Sequence, residues 1–282
     1  MEVLQVNKPM LPMCRFVFLA VASLSHVTAG VISGTVTLDG NVIHYQAFNG
    51  TDPAAFAQFL AGAQLIDFES VSGVTPLAVT SYTGSPTAPA NLIEPTIGIN
   101  GAFFSAGGQT PGKPENGGAP AVLLDVSSLS GAHSGNNVLG PTTQGDPTNP
   151  LDFTGFFSVN FPVAQPISRF GWWTNPDGGA VAFPPHINTL DSSGTLVDLS
   201  SGILFTANPG DFVAFAFDQS VVNEVELFQG APTTMDDFTY ARDNALPFGT
   251  STSVPEPASW FLVLCGSAFA GVAAAQKRRM RR

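Results

Sequence analysis

The stretch that decides the fold reads Phe156-Phe157-Ser158-Val159-Asn160-Phe161, followed after a Pro-bounded break by Ser168-Arg169-Phe170-Gly171-Trp172-Trp173. Phe157, Val159 and Phe161 recur at every second position, and so do Ser168, Phe170 and Trp172. A period of two places one set of side chains on one face of an extended strand, so both segments read as β-strands. Turn signals follow at Asn175-Pro176-Asp177-Gly178-Gly179 and at Asp191-Ser192-Ser193-Gly194. Between and beyond them, residues 196–199, 203–206, 212–217 and 222–228 read as further strands, and Asp236-Asp237-Phe238-Thr239-Tyr240 as a closing one.

Upstream the same grammar holds. Ile32, Gly34, Val36 and Leu38 alternate into Asp39-Gly40-Asn41, a hairpin-type turn, and residues 42–45 return. Asp52 and Pro53 predict a short helix, as N-cap and first helical residue, with Phe56, Phe59 and Leu60 on one face and Gly62 at its end. Residues 65–69 read as the next strand. Residues 105–150 are rich in Gly, Pro, Asn, Thr and Ser and are interrupted only by the apolar run 121–126, which predicts a long solvated insertion. The expected fold is all-β: an antiparallel β-sandwich, jelly-roll-like, over residues 30–243, with one short helix near its N-terminus.

Composition bounds the function. Ten Lys+Arg face 21 Asp+Glu, for a net charge of −11. Only Lys113, Arg169 and Arg242 among the cations fall inside the body, which holds every acid except Glu2 and Glu256. A body so poor in cations cannot neutralise a phosphate backbone, so no nucleic acid is expected as a partner. The two cysteines, Cys14 and Cys265, lie in or beside the terminal apolar segments, which leaves the body without disulfide, thiolate nucleophile or cysteine metal site. All 23 Phe except Phe16, Phe18, Phe248, Phe261 and Phe269 belong to the body, so aromatic packing must carry its core.

The ends read as addresses. Residues 16–24 form a short apolar run preceded by Lys8 and Arg15 and followed by Val27-Thr28-Ala29. This is the pattern of a secretory signal peptide over residues 1–29, cut between Ala29 and Gly30, with the Sec translocon and signal peptidase as partners. At the other end residues 259–275 are uncharged and mostly apolar, about 26 Å long as a helix, with Trp260 at one interface and a basic tail, 276–282, just beyond the other. The positive-inside rule places that tail in the cytoplasm and the body outside. A Ser/Thr/Pro linker, 244–253, joins the two.

The segment Val254-Pro255-Glu256-Pro257, the apolar run and the terminal cluster Arg278, Arg279, Arg281 and Arg282 together resemble the PEP-CTERM sorting signal of exported bacterial proteins. The resemblance covers residues 254–282. It implies recognition and cleavage near the Pro-Glu-Pro by an exosortase-type membrane enzyme in a Gram-negative bacterium that makes extracellular polysaccharide. The prolines hold the segment extended and keep it out of the helix. The run 156–240 also resembles, more loosely, the bodies that accompany such signals and extracellular carbohydrate-binding modules.

Catalytic motifs are scarce. No Gly-x-Ser-x-Gly elbow, His-Glu-x-x-His helix, P-loop or dinucleotide fingerprint occurs. His133 reads as a solvated loop histidine. The carboxylates Asp67 and Glu69, and Glu224 and Glu226, are same-face strand pairs that could span a sugar, since a glycosidase needs two about 5–9 Å apart. Asp67, Glu69, Asp236 and Asp237 are candidate calcium ligands if the first and last long strands meet. Trp172 and Trp173 must point to opposite faces, one into the core and the other outward or beneath a loop. An exposed tryptophan beside the turn at residues 175–179 could stack on a sugar ring; the plainer reading makes both structural. The expected function is that of a non-enzymatic exported surface or matrix protein, its body contacting exopolysaccharide; the alternative is a carbohydrate-active enzyme using paired carboxylates.

Overall fold

The computed structural model describes residues 30–248 except 83–91, 95, 97, 107–111, 114–117, 130–131, 142–155, 180, 182–184, 204 and 228–231. The expected signal peptide, the sorting signal with its helix 259–275, and the basic tail lie outside the described residues. The chain divides into a body, Met1–Pro247, and a separate unit, Phe248–Arg282. Among the described residues no helix is long and apolar enough to cross a membrane.

With 47% strand and 5% helix the protein is all-β. The elements are β1 (Gly30–Leu38), β2 (Asn41–Gly50), α1 (Pro53–Leu60), β3 (Gln64–Ile66), β4 (Leu77–Ala78), β5 (Leu92–Ile93), β6 (Gly98–Ile99), β7 (Ala102–Ser105), β8 (Ala121–Asp125), β9 (Asn137–Gly140), β10 (Phe157–Asn160), β11 (Arg169–Thr174), β12 (His186–Leu190), β13 (Leu196–Asp198), β14 (Phe212–Phe217), β15 (Glu224–Leu227) and β16 (Met235–Ala241). They form two sheets. The larger is ordered β1-β2-β14-β11-β16-β9-β8-β4, with β3 also on β16 and β5 on β8; the smaller is β13-β12-β15-β10-β7-β6. Pairing is antiparallel except between β4 and β8.

Local chemistry explains the elements. Asp39 and Gly40 both take positive φ, the two-residue turn that matches strand twist, and they set Leu38 opposite Asn41. Asp52 caps α1 by accepting from the Ala54 N–H at 3.0 Å, with Pro53 next. Alternate residues of the two sheets meet in one core. Phe170 and Trp172 of β11, Val213, Phe215 and Phe217 of β14 and Phe238 and Tyr240 of β16 share it with Phe157 and Val159 of β10 and Val225 and Leu227 of β15. Successive strands from β10 to β16 cross repeatedly from one sheet to the other, which closes this core without disulfides.

The large sheet is buried on its other face as well. Trp173, Phe212 and Ala214 lie there beneath α1, whose Phe56 meets Phe212 edge-on at 4.7 Å and whose Phe59 meets it at 5.4 Å. Gly171 makes room, because a Cβ there would fall 2.6 Å from the Phe212 ring and 2.8 Å from the Val213 carbonyl. Arg169, only 1% exposed, fastens the helix. Its guanidinium donates to the Phe59 carbonyl, to the Ala61 carbonyl at 2.5 Å, and to both carboxylate oxygens of Asp243 at 3.2 and 2.6 Å. A cation at the C-terminal carbonyls of a helix satisfies orphan acceptors and complements the dipole.

Three expectations are corrected. The strand expected over residues 65–69 ends at Ile66, because Phe68 turns at φ 60° and the Asp67 carboxylate accepts from the Glu69 N–H. Among the described residues, 203, 205 and 206 carry no strand: Ile203 donates to the Ser200 carbonyl in a turn, and the neighbouring Ala207 makes an isolated bridge with Val181. Inside 105–150, β8 and β9 pair with each other and β9 joins β16, so this stretch contributes strands to the large sheet, with Val122, Leu124 and Val138 in a satellite core.

Replacing Arg169 by Met should lower the unfolding free energy by about 3 kcal/mol in urea denaturation, since two helix-end carbonyls lose their donor. Asp243→Asn should cost less than about 1 kcal/mol, because Asp243 is partly solvated. Equal losses in the two variants would refute the capping role.

Candidate functional site

The centre of the large sheet carries one irregularity. Gly171 faces Thr239 and Trp173 faces Asp236, so Trp172 stands opposite two residues, Asp237 and Phe238. Asp237 adopts φ 47°, in the left-handed region. This is a β-bulge, a device that re-aims a side chain. In a regular strand Asp236 and Asp237 would point to opposite faces. Here Phe238 stays in the inter-sheet core while both aspartates reach the same loop, residues 132–137.

That loop is held by carboxylates. His133 N–H and Ser134 N–H donate to Asp236 Oδ2 at 2.6 and 3.0 Å. His133 Nδ1 lies 2.7 Å from Asp237 Oδ2, and Ser134 Oγ donates to Asp237 Oδ1 at 2.7 Å. At the other end Asn136 and Asn137 N–H donate to Glu69 Oε1 at 2.8 and 2.7 Å. Gly135 between them has φ 57°, and a Cβ there would fall 2.2 Å from Glu69 Oε1, so only glycine fits. The His133 ring lies flat on Trp173, centroids 3.7 Å apart at 7°, with Phe56 edge-on to both. Burial, reinforced by the neighbouring Asp237 charge, pushes the Asp236 carboxyl up to about 7 against the pull of its N–H donors.

This geometry assembles the calcium candidates only in part. The structure brings Glu69, Asp236 and Asp237 to one loop, whose N–H, hydroxyl and imidazole groups bond Glu69 Oε1, Asp236 Oδ2 and both carboxylate oxygens of Asp237. Asp67 spends its Oδ1 on the Glu69 N–H. Among the described residues no group of three or more His, Cys, Asp or Glu side chains is arranged to hold a metal. Of the two places expected for the second tryptophan, outward or beneath a loop, Trp173 takes the latter. Trp172 is 3% and Trp173 7% exposed. They do point to opposite faces, but both faces are covered, Trp172 by the small sheet and Trp173 by α1 and His133.

Sequence reasoning missed the His133–Asp237 pair and the buried Arg169. The available signals were an Asp-Asp doublet inside a strand and a lone cation in an otherwise apolar one.

A second polar cluster lies on the outer face of the small sheet. Glu224 is buried, and its carboxyl accepts from Ser158 Oγ at 2.5 Å, Asn188 Nδ2 at 2.9 Å and Asn160 Nδ2 at 3.3 Å. Glu226, two residues on, faces Ser158 on one side and His186 on the other, and His186 Nδ1 sits 3.0 Å from Asp198 Oδ2. Burial raises both glutamate pKa values. A cleft of about 230 Å³ beside β3, lined by Leu65, Asp67, Phe68, Val71, Ile99 and Asn100 among others, holds a single carboxylate.

Comparison with protein-family models, curated proteins and solved structures returned no match.

Asp236 binds its proton more tightly in the folded chain than in the unfolded one. Its contribution to stability is therefore complete below the ordinary carboxylate value of about 3.9 and lost as pH rises to about 7. The melting temperature of the wild-type chain minus that of Asp236→Asn should fall between pH 5 and 7 and level off above. A difference that rises or stays flat across this range would contradict the assignment.

Proposed function

We propose that the chain is an exported protein of a Gram-negative bacterium, processed by an exosortase-type enzyme and delivered to the cell surface or extracellular matrix as a non-enzymatic body. The observation that carries this reading is the order of three parts near the C-terminus: Val254-Pro255-Glu256-Pro257, the apolar run 259–275, and the cluster Arg278, Arg279, Arg281 and Arg282. The Sec translocon and signal peptidase act first, at Ala29 and Gly30. The C-terminal helix then holds the protein in the inner membrane, with the basic tail in the cytoplasm, until it is cut. A body without cysteine suits this route, since its core needs no oxidation to close.

The body is read as a jelly-roll-like sandwich. Supporting this is the repeated crossing of consecutive strands between two sheets around one core. Contact with exopolysaccharide is assigned to the outer face of the small sheet rather than to the tryptophans. There the exposed His186 and the partly buried Glu226 and Asp198 form a polar, hydrogen-bonding strip.

One observation favours a second reading, a carbohydrate-active enzyme. Glu224 and Glu226 lie on one face roughly 6.6 Å apart along the strand and both hold their protons more tightly than ordinary carboxyls. Against it, Glu224 is 1% exposed and already accepts three hydrogen bonds from Ser158, Asn160 and Asn188. Such a carboxyl ties strands together rather than meeting a substrate.

The sorting proposal is tested by the size and location of the protein in cells with and without the exosortase. Processed surface protein should become full-length inner-membrane protein when the enzyme is deleted; identical full-length membrane protein in both strains would sink the idea. The non-enzymatic proposal is tested by screening the purified protein on polysaccharides. No hydrolysis is expected, and an activity abolished by Glu224→Gln or Glu226→Gln would establish the second reading instead.

A further inference from the structure

We propose that residues 132–137 form a lid over the outer face of Trp173, latched by Asp236, Asp237 and Glu69 and released when Asp236 is ionised. This inference is independent of the export reading.

The lid is fastened chiefly by polar contacts, three carboxylates meeting four backbone N–H groups, one hydroxyl and one imidazole. Its ring contacts are those of His133 with Trp173 and Phe56. The structure beside it is firmer, since β9 begins at Asn137 and pairs with β8 over four residues. Gly135, at φ 57°, supplies a swivel between the two latched ends.

What lies under the lid is not at ease. Trp173 Nε1 and Thr234 Oγ1 are buried with no hydrogen-bond partner. Trp173 faces Asp236 across the register, and Thr234 lies just before β16, two residues ahead of Asp236. A buried donor left unsatisfied costs free energy that water recovers when it enters. The closed state therefore carries a standing penalty, offset by the carboxylate bonds, and the balance between closed and open rests on the charge of the latch.

The groups facing Asp236 make that balance sensitive to protons. Its own strand brings Asp237, and the loop brings His133. Glu69 and Asp67 lie towards the loop's other end, and α1 and β11 present the uncharged Phe56 and Trp173. Among the described residues no lysine or arginine pairs with either aspartate. Ionising Asp236 thus places a second, uncompensated charge in a buried site. Opening returns the carboxyl to water, so the open form releases a proton that the closed form keeps. Opening is favoured as pH rises from about 4 to about 7 and saturates above that.

The test is hydrogen exchange, read by mass spectrometry on the full chain at pH 5, 6, 7 and 8 and corrected for intrinsic exchange. Peptides carrying the amides of His133, Ser134 and Asn136 should open on the order of tenfold more per pH unit up to pH 7, while those of β8 stay constant. Asp236→Asn should lose the slope. His133→Ala, which alters a half-exposed ring, should raise opening at every pH and keep the slope. A wild-type lid with no pH dependence, a slope unchanged in Asp236→Asn, or unaltered protection in His133→Ala would each overturn the proposal.

Discussion

A single buried guanidinium organises the body. Arg169 stands at the start of β11, in the middle of the large sheet, and reaches the last carbonyls of α1 and the carboxylate just past β16. Its stem and charge are enclosed, with the Phe59 ring 5.5 Å away. Burying a cation is costly unless every donor is used. Here three partners use four of its five N–H groups, and the result is that α1 cannot leave the sheet without stripping its own C-terminal carbonyls and the guanidinium of their shared hydrogen bonds. That contact fixes where Phe56 and Phe59 sit, and so decides that the outer face of β11 and β14 is a second apolar layer.

The second layer in turn shapes the acidic cluster. Because α1 covers Trp173, the indole offers its remaining face to His133, and His133 brings its loop within reach of the bulged aspartates. The bulge at Asp237 turns what would be one inward and one outward carboxylate into a pair. A strained residue at a junction of strand, loop and aromatic stack is the kind of position where folds keep a mobile or reactive device. In this chain the strained residue holds a loop.

Much of this was legible in the sequence, for physical reasons that differ by element. The β1–β2 hairpin and α1 were readable because their signals are local: Asp39-Gly40 dictates its turn, and Asp52-Pro53 its cap. The alternation of Phe157, Val159 and Phe161 was enough to place those rings in a core. The run 212–217 was readable as a strand, and the structure buries it on both faces. What escaped depends on contacts distant in the chain. Nothing near Asp237 announces a bulge, nothing near Trp173 announces a histidine 40 residues upstream in the chain, and the Gly- and Asn-rich surroundings of β9 hide a strand that only β8 and β16 stabilise. The proposed destination, by contrast, rests on short terminal segments that are read without tertiary structure.

The central claim is that both ends are addresses and the two-sheet body is the product delivered. The intact mass of the protein recovered from the cell surface tests this most directly. The account predicts a chain that begins at Gly30 and ends near Pro255-Glu256-Pro257, without the basic tail. A surface protein whose mass still includes residues 1–29 or the arginines at 278–282 would contradict it.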